Sequence, residues 1–398
     1  MKTDFSATRK LFDLPNGVVY LDGNSLGPLQ FSVKARLAEV VQTEWGELLI
    51  EAWNKADWMD QPSRVGNRIA RLIGAESNSV VMGDTLSVKV YQALTAALQM
   101  NPTRKIILSD TGNFPSDLYI AQGLVKTLGG DYELRTVAPE EVLGAINGDV
   151  AVTLITEVDY RTGRRHDMAA ITAKAHEKGA LSIWDLAHSA GALPVHVARD
   201  GADFAVGCTY KYLNSGPGGP AFIYVAPRHA EHVQPALAGW LGHAAPFSFD
   251  LEYAPGRGIE RMRVGTPPIL QLAALEAALD VWDNVDLEDL RRRALELGDQ
   301  FIAGIEAACP DLKLATPRDH QQRGSQISFQ HPEGYAIMKA LIAERVIGDF
   351  RAPDILRFGF TPLYIDSSDV ARAVATLTRI IRDRTWLEPE FQRRDRVT

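Results

Sequence analysis

Short apolar segments alternate with longer amphipathic segments along much of the chain. The apolar segments lie at 79–82, 105–109, 150–156, 180–184, 204–208 and 221–225. They are hydrophobic on both faces, as buried parallel strands are. Helical patterns lie between them, at 88–100, 115–127 and 168–178. This strand–helix–strand alternation predicts an α/β fold in which helices cover a mostly parallel sheet.

The segments on either side of this region have a different pattern. Near the N-terminus, hydrophobic residues at helical spacing predict one amphipathic helix over 32–53. A long helical pattern with one interruption follows the GTPP sequence. Shorter elements are predicted after it, namely strands at 326–330 and 356–360 and helices at 334–344 and 368–383. We therefore expect three parts: an N-terminal segment (1–55) that packs on the small domain or a partner, a large domain (56–268), and an interdomain helix with a smaller α+β domain (269–398).

Composition and charge exclude several classes of protein. The 398 residues carry a formal net charge of −8 with no long basic run, which argues against a nucleic-acid partner. The chain has no run of about 18 apolar residues, so no membrane span is predicted. Cys208 and Cys309 form neither a disulfide framework nor a metal site, and we expect a cytoplasmic protein without a metal. Several histidines also lack metal-ligand spacing and are predicted to lie on the surface, namely His166, His176, His229, His232 and His331.

An aspartate and a lysine follow two successive predicted strands. The segment WDLAHSAG places Asp185 at the end of one strand, and GCTYKYLNSGPGG places Lys211 after the next. Because parallel α/β sheets bind ligands at the carboxyl ends of their strands, both side chains are expected to face one cleft. Taken singly, Asp185 could cap a helix and Lys211 could be a solvated surface group, so the prediction depends on the pair.

The pair has the chemistry that pyridoxal 5′-phosphate (PLP) requires. Partial desolvation by the flanking Tyr210, Tyr212 and Cys208 would make the Lys211 amine a usable nucleophile for the cofactor's aldehyde. Asp185 would keep the pyridine nitrogen protonated, so that the ring accepts electrons from a carbanion.

Two further segments supply the other parts of such a site. MGDTLS at 82–87 lies between a strand and a helix, so free backbone N–H groups and the Ser87 hydroxyl could hold a phosphate dianion. GNFPSD at 112–117 precedes a helix that begins with proline, and Phe114 could stack on the cofactor ring. Each segment also has a simpler interpretation, as helix caps and core packing.

Together these motifs resemble those of kynureninase, a PLP-dependent family of fold type I, the aspartate aminotransferase fold. The matching segments run in order over nearly the whole chain: LDGNSLGPL at 21–29, NFPSD at 113–117, WDLAHSAGA at 184–192, TYKYLNSGPGG at 209–219, AGWLGH at 238–243, RVGTPP at 263–268 and LRFGF at 356–360. The WDLAHSAGA and TYKYLNSGPGG segments are specific to a narrow group, whereas GNSLG and GTPP are shared with aminotransferase relatives. The resemblance implies a mostly parallel seven-stranded sheet in a large PLP-binding domain.

The resemblance also implies an activity, which is hydrolytic cleavage of the Cβ–Cγ bond of L-kynurenine, and of 3-hydroxykynurenine in some members, during tryptophan degradation. Lys211 would carry the cofactor as a Schiff base and move the substrate's Cα proton, and Tyr210 is the candidate acid for the product. The implied cofactor contacts are Leu86, Ser87, Phe114, Asp117, Asp185, His188, Tyr210, Lys211, Trp240 and Thr266. Trp240 and Thr266 would come from the second subunit of a homodimer.

Three residues are implied to contact the substrate. Arg357 would bind the α-carboxylate through two parallel hydrogen bonds, and Ser25 would lie close by. Trp53 would belong to the pocket for the aryl ketone, as in bacterial members that prefer kynurenine, although simple core packing is an equally good interpretation.

Rival functions share the cofactor. A cysteine desulfurase or selenocysteine lyase needs a cysteine on a mobile C-terminal loop, whereas Cys309 lies in a helical context. An aminotransferase would keep Lys211 and Asp185, but the AGW and TYKYLNSGPGG segments argue against it. A protein that only binds PLP would not need Arg357 for a substrate carboxylate.

Overall fold

The computed structural model describes residues 2–394. Residue 1 of the predicted N-terminal segment and residues 395–398 of the predicted C-terminal domain lie outside the described residues. The strands are β1 (Val19–Tyr20), β2 (Val80–Met82), β3 (Ile106–Asp110), β4 (Glu133–Val137), β5 (Val150–Thr156), β6 (Leu181–Asp185), β7 (Phe204–Gly207), β8 (Phe222–Val225), β9 (Lys313–Leu314), β10 (Gln326–Gln330), β11 (Val346–Ile347), β12 (Asp349–Arg351) and β13 (Ile355–Gly359).

The α-helices are α1 (Phe5–Arg9), α2 (Phe31–Glu39), α3 (Ala52–Lys55), α4 (Gln61–Leu72), α5 (Leu86–Met100), α6 (Pro115–Leu128), α7 (Val142–Ala145), α8 (Met168–Glu177), α9 (Pro227–Ala230), α10 (Ile269–Ala278), α11 (Leu287–Ala308), α12 (Gly334–Ala343), α13 (Ser367–Asp383) and α14 (Pro389–Gln392). Short 3₁₀ turns connect several of them, and one π-helical segment spans Val40–Trp45. Within residues 2–394, none of the helices is long and apolar enough to cross a lipid bilayer.

The large sheet has seven strands in the order β2–β8–β7–β6–β5–β3–β4. All neighbouring pairs are parallel except those that involve β8, which runs antiparallel to both β2 and β7. The expectation of a mostly parallel seven-stranded sheet is therefore confirmed. The sequence pattern missed β4, because its segment ELRTV is polar and the strand lies exposed at the edge of the sheet.

Helices cover both faces of this sheet, as right-handed strand–helix–strand crossovers require. On one face, α5 and α6 pack apolar residues such as Leu94 and Leu124 against the sheet. On the other face, α4 and α8 contribute residues such as Ile69 and Ile171 to a core that continues into the C-terminal part. Polar residues that follow β5, β6 and β7 consequently converge at the carboxyl end of the sheet.

The C-terminal part is built on a four-stranded antiparallel sheet in the order β12–β13–β10–β9. Helices α11 and α12 pack beside it, and α13 packs against both of these helices. The N-terminal segment lies against this part, because β1 pairs in parallel with β11 and Arg9 forms ion pairs with Asp366 and Asp369. The three-part division of the chain remains a prediction.

The expectation of a single helix over 32–53 is wrong. The segment consists of α2, the π-helical turns at Val40–Trp45, a 3₁₀ turn at Leu49–Glu51 and α3. Glu44 is buried and accepts a hydrogen bond from Trp58 Nε1 at 2.7 Å, which draws the chain inward at the π-helical turns. Leu49 then adopts a φ of 54°, which a continuous helix does not allow.

Candidate active site

One cavity of about 250 Å³ lies at the carboxyl ends of β5, β6 and β7. It is lined by eight of the predicted site residues, which are Leu86, Ser87, Phe114, Asp117, Asp185, His188, Tyr210 and Lys211. Because β6 and β7 are adjacent parallel strands, the turns that follow them bring Asp185 and Lys211 to the same place. The sequence-based expectation that the two side chains share a cleft agrees with this geometry.

Lys211 lines the cavity beside two aromatic rings and an imidazole. Its Nζ is 2.9 Å from Nε2 of His188 and 5.8 Å from the ring centroids of Phe114 and Tyr210. Burial lowers the pKa of His188 well below its usual range, and the positive charge of Lys211 lowers it further. The imidazole is therefore neutral near pH 7, and its Nε2 can accept a hydrogen bond from Lys211 Nζ.

Asp185 ends β6 with its carboxylate fully buried. Its Oδ1 accepts a hydrogen bond from the backbone N–H of Ala187 at 2.9 Å, and Thr156 Oγ1 lies 3.5 Å from Oδ2. Burial raises the pKa of Asp185 to about 6, while the charge of Lys211 opposes that shift. Few hydrogen-bond donors surround this buried carboxylate. It is therefore well suited to a cationic ring nitrogen, because such a partner would replace the stabilisation by water that burial removes.

Asp117 is a second buried carboxyl group on the cavity wall. It lies in the first turn of α6, and its Oδ2 has no hydrogen-bond partner among the described residues. Burial raises the pKa of Asp117 well above its usual range, and the nearby Asp185 adds to the shift. An unpartnered buried oxygen that borders a cavity indicates a missing polar ligand.

The N-terminus of α5 forms one end of the cavity. Its N-cap residue, Thr85, has extended backbone and makes no side-chain cap hydrogen bond within the described part of the chain. The first backbone N–H groups of α5 are thus available to an anion, which the helix dipole also favours. Ser87 Oγ lies 3.0 Å from Oγ of Ser116, in the first turn of α6. These hydroxyl groups give the same end of the cavity the donors that a phosphate requires.

Arg357 and Ser25 lie beside this cavity and do not line it. Arg357 Nη1 donates a hydrogen bond at 2.5 Å to the backbone carbonyl of Tyr160, whose side chain lines the cavity. Arg357 Nη2 donates to Ser25 Oγ at 2.9 Å. The two predicted substrate contacts are therefore joined to each other and reach the cavity through Tyr160.

Three predicted site residues lie away from the cavity within this chain. Trp240 packs against the exposed ring of Phe247, with ring centroids 5.6 Å apart. Thr266 borders a separate small cavity formed with the turn that precedes α5. Trp53 makes an edge-to-face contact with Trp58, at 5.8 Å between ring centroids. The chain by itself does not bring these residues to Lys211.

Several residues at the site were missed from the sequence. Tyr160 follows β5 and makes an edge-to-face contact with Phe114 at 5.1 Å, so the strand-end rule that found Asp185 could also have found it. Asp349 pairs with Arg357 from the neighbouring strand β12. Asp22 is partly exposed, but its Oδ1 is buried and has no hydrogen-bond partner among residues 2–394. The sequence gives no local signal for either carboxylate, because Asp349 meets Arg357 only when β12 pairs with β13, and Asp22 lies far along the chain from both.

The prediction of surface positions is wrong for His166. It is buried and its Nε2 lies 2.8 Å from Asp110 Oδ2. His176 and His229 are partly exposed and share the buried carboxylate of Asp203, each at 2.8 Å. These histidines therefore hold parts of the chain together through buried carboxylates. Within residues 2–394, no group of His, Cys, Asp and Glu is arranged to hold a metal ion.

The described residues fit PLP. The amine of Lys211, the buried acid of Asp185 and the uncapped start of α5 offer partners for an aldehyde, a pyridine nitrogen and a phosphate, respectively. The unpartnered Oδ2 of Asp117 supports the same conclusion, because it leaves a polar atom for the edge of a bound ring.

Comparison with solved structures shows the fold. The cysteine desulfurase of Thermococcus onnurineus NA1 superimposes with a TM-score of 0.80 at 19% identity, covering 96% of this chain and 99% of that one. A C-DES variant with glycine covalently linked to its PLP cofactor has a TM-score of 0.79 at 18% identity and covers 93% and 98% of the two chains. These neighbours share the α/β architecture of the large sheet and the C-terminal part.

Sequence comparison decides the family. The family model described as "Kynureninase C-terminal domain" matches residues 290–377. "Kynureninase" of Pseudomonas fluorescens is 50% identical over 397 residues, covering 98% of this chain and 95% of that protein. The chain belongs to the kynureninase family. Its kynureninase relative in Deinococcus radiodurans is 52% identical over 380 residues and covers 94% of this chain and 92% of that protein.

Proposed function

We propose that this member of the kynureninase family hydrolyses the Cβ–Cγ bond of L-kynurenine to give anthranilate and L-alanine, with PLP as its cofactor. The observation that carries the proposal is the single cavity that holds Lys211, Asp185 and the uncapped N-terminus of α5. Relatives named kynureninase that cover nearly the whole chain at 50% identity support the reaction. Such an enzyme serves the degradation of tryptophan through kynurenine.

Bound PLP supplies an electron sink for the negative charge that forms beside the substrate's amino group and carbonyl. Lys211 binds the cofactor through its amine and then removes the proton from the substrate's Cα. His188, neutral near pH 7, accepts a hydrogen bond from Lys211 and orients it. Asp185 would keep a proton on the pyridine nitrogen of the cofactor, and Phe114, which lines the same cavity, would contact its ring.

Tyr210 is the proposed proton donor to the product. A tyrosine phenol holds its proton at neutral pH, and burial, which raises its pKa further, keeps it in that state until a strongly basic carbon forms beside it. The residue adjoins Lys211 in sequence and lines the same cavity. It can therefore deliver a proton to the substrate's Cβ after anthranilate leaves. The substitution Tyr210→Phe should preserve cofactor binding and strongly reduce turnover.

We also propose that the protein is a homodimer with sites shared between subunits. Trp240 and Thr266, the expected phosphate contacts, lie away from the cavity of their own chain. A second copy could place them at the start of α5, where the anion site is open. Trp53 could reach the aryl pocket in the same way. Exposed apolar side chains beside these residues, Trp45 and Phe249 among them, support burial against another copy.

A cytoplasmic location is part of the proposal. The free thiols of Cys208 and Cys309 are both buried, and neither is paired, which is typical of proteins from a reducing compartment.

A cysteine desulfurase function has one observation in its favour, since Cys208 lines the cavity. However, burial raises the pKa of this thiol, which makes it a poor nucleophile. Cys309 is also buried, at the end of α11, with Thr378 Oγ1 at 3.8 Å from its sulfur. The structural likeness to desulfurases therefore describes the fold and does not favour their chemistry.

The proposal is tested by adding L-kynurenine to the PLP-loaded protein and measuring anthranilate by fluorescence and L-alanine by amino-acid analysis. We expect the two products in equal amounts from the wild type and from Lys126→Ala, which removes an exposed lysine of α6. Lys211→Ala should form neither product. A keto acid or sulfide in place of anthranilate would contradict the proposal.

A further inference from the structure

A fully buried lysine lies in the first turn of α5, the helix whose N-terminus forms one end of the cavity. Lys89 is the fourth residue of this helix, and its side chain has no exposed surface. It does not line the cavity that holds Lys211. Because a buried ammonium group is strongly unfavourable unless it is paired and hydrogen-bonded, the groups around Lys89 determine the effect of its charge.

Among residues 2–394, three oxygen atoms are partners of this ammonium group. Lys89 Nζ donates to Gln92 Oε1 at 2.9 Å. It also lies 3.3 Å from Asp84 Oδ2 and 3.4 Å from the carbonyl oxygen of Met262. Of these partners only Asp84 is charged. Burial lowers the pKa of Lys89, and the charge of Asp84 opposes that shift, so Asp84 stabilises the ammonium form.

Asp84 lies at the end of α5 where the phosphate is expected. It directly precedes Thr85, the N-cap of the helix, and its backbone has a φ of 58°. A carboxylate at a helix N-terminus interacts favourably with the helix dipole. However, it repels any other anion at the same terminus, and a phosphate dianion would be such a group. This turn therefore opposes phosphate binding unless a cation compensates for the charge of Asp84.

Lys89 provides that cation from within the helix. Side chains of an α-helix tilt toward its N-terminus, so an ammonium group on the fourth residue can reach back to the residue before the N-cap. Gln92 Nε2 donates to the Met262 carbonyl at 3.1 Å, and the same carbonyl and Gln92 Oε1 both contact Lys89 Nζ. These contacts hold the ammonium group beside Asp84. The pair has no net charge, which leaves the free N–H groups of α5 as the dominant influence on an anion.

We propose that Lys89 is a positioning residue for the phosphate of the cofactor, because its buried ammonium group neutralises Asp84 and keeps the start of α5 favourable for a dianion. Lys89 has no exposed surface, so it acts through Asp84 and not by contact with the ligand. The inference concerns the cofactor, and cleavage of kynurenine is not needed for it to hold.

The first test compares two ligands that differ only in the phosphate. The full chain, freed of cofactor by hydroxylamine and dialysis, is titrated with PLP and with pyridoxal while the absorbance of the Schiff base is recorded. Lys89→Met keeps the length of the side chain and removes its charge. It should raise the dissociation constant for PLP about 10-fold and that for pyridoxal less than about twofold.

Two further variants separate charge from other effects. Lys89→Gln keeps hydrogen-bond donors without a charge and should show the same selective loss of PLP affinity. Lys126→Met removes an exposed lysine of α6 and should bind both ligands as the wild type does. An unchanged dissociation constant for PLP in Lys89→Met and Lys89→Gln, or an equal loss of pyridoxal affinity, would overturn the proposal.

The role of Asp84 is tested by a second substitution. If the uncompensated carboxylate is what weakens binding in Lys89→Met, its removal should restore the affinity. Lys89→Met/Asp84→Asn should therefore bind PLP within about threefold of the wild type. A purely structural defect would not be repaired by the loss of another partner. A double variant that binds PLP no better than Lys89→Met would show that Lys89 does not act through Asp84. Because these titrations contain no kynurenine, their outcome is independent of the test of the proposed function.

Discussion

At Asp22, burial and the neighbouring charge act in the same direction. Burial and the nearby charge of Asp349 together raise the pKa of this carboxyl group to about 7, although Arg357 opposes the shift. Below that pH Asp22 is neutral, and above it the group adds a negative charge near Arg351 and Arg357, which both pair with Asp349. A substrate carboxylate would then meet a less positive cluster.

We therefore expect KM for L-kynurenine to rise as the pH increases through about 7, and Asp22→Asn to abolish that rise. The measurement is KM at intervals from about pH 6 to about pH 9, with kcat recorded separately. An Asp22→Asn variant that keeps the pH dependence of the wild type would show that another group is responsible.

Asp185 illustrates a conflict between stability and function. Because its pKa in the folded protein is raised to about 6, above the usual 3.8, the folded state favours the protonated acid. Stability of the cofactor-free protein should therefore fall as the pH increases from about 4 to about 7. Asp185→Asn should raise the free energy of unfolding by about 2 kcal/mol at pH 7 and by little at pH 4. Urea titrations at both pH values test this, and an equal gain at both would contradict it.

At the scale of elements, α4 approaches β2 at a point that only glycine allows. A Cβ on Gly66 would lie 2.3 Å from the carbonyl oxygen of Val80, which is backbone and cannot move aside. Gly66→Ala should lower the free energy of unfolding by about 1–3 kcal/mol through overpacking.

A second helical glycine provides the control. Gly123 in α6 is exposed, and a Cβ added there would have open space around it, with no atom of the described residues outside its own helix within 4 Å. Gly123→Ala should raise the free energy of unfolding by about 0.5–1 kcal/mol, because alanine restricts the unfolded chain. Urea titration measures both, and the same sign for the two substitutions would contradict the packing explanation.

The elements that the sequence predicted well are those whose signal is local. Buried strands such as β5 are apolar throughout, and α6 has a proline at its start and a glycine after its end. The segment 32–53 was mispredicted because its breaks depend on a distant contact, the bond from Trp58 to Glu44. Asp185 and Lys211 were predicted correctly to share a cleft because parallel sheets bind ligands at the carboxyl ends of their strands. Asp349 was missed because its importance arises only when β12 pairs with β13.

At the scale of the whole molecule, the proposed site depends on a second copy of the chain. If each site takes Lys211 from one subunit and Thr266 from the other, two inactive variants should complement each other. Lys211→Ala mixed with Thr266→Ala, after dissociation and reassociation, should recover about a quarter of wild-type turnover, because half of the dimers would carry one intact site. The measurement is anthranilate formation before and after mixing. A mixture as inactive as its parents, with dimers confirmed by light scattering, would place Thr266 in the site of its own chain or outside it.

The most direct test of the site is the position at which PLP becomes attached. The cofactor-loaded protein is reduced with borohydride, digested and mapped by mass spectrometry, which identifies the lysine that carries the pyridoxyl group. We predict a single modified peptide that contains Lys211, and no such peptide from Lys211→Ala. Modification of another lysine, such as the buried Lys89 of α5, or no modification at all, would contradict the assignment of this cavity as the active site.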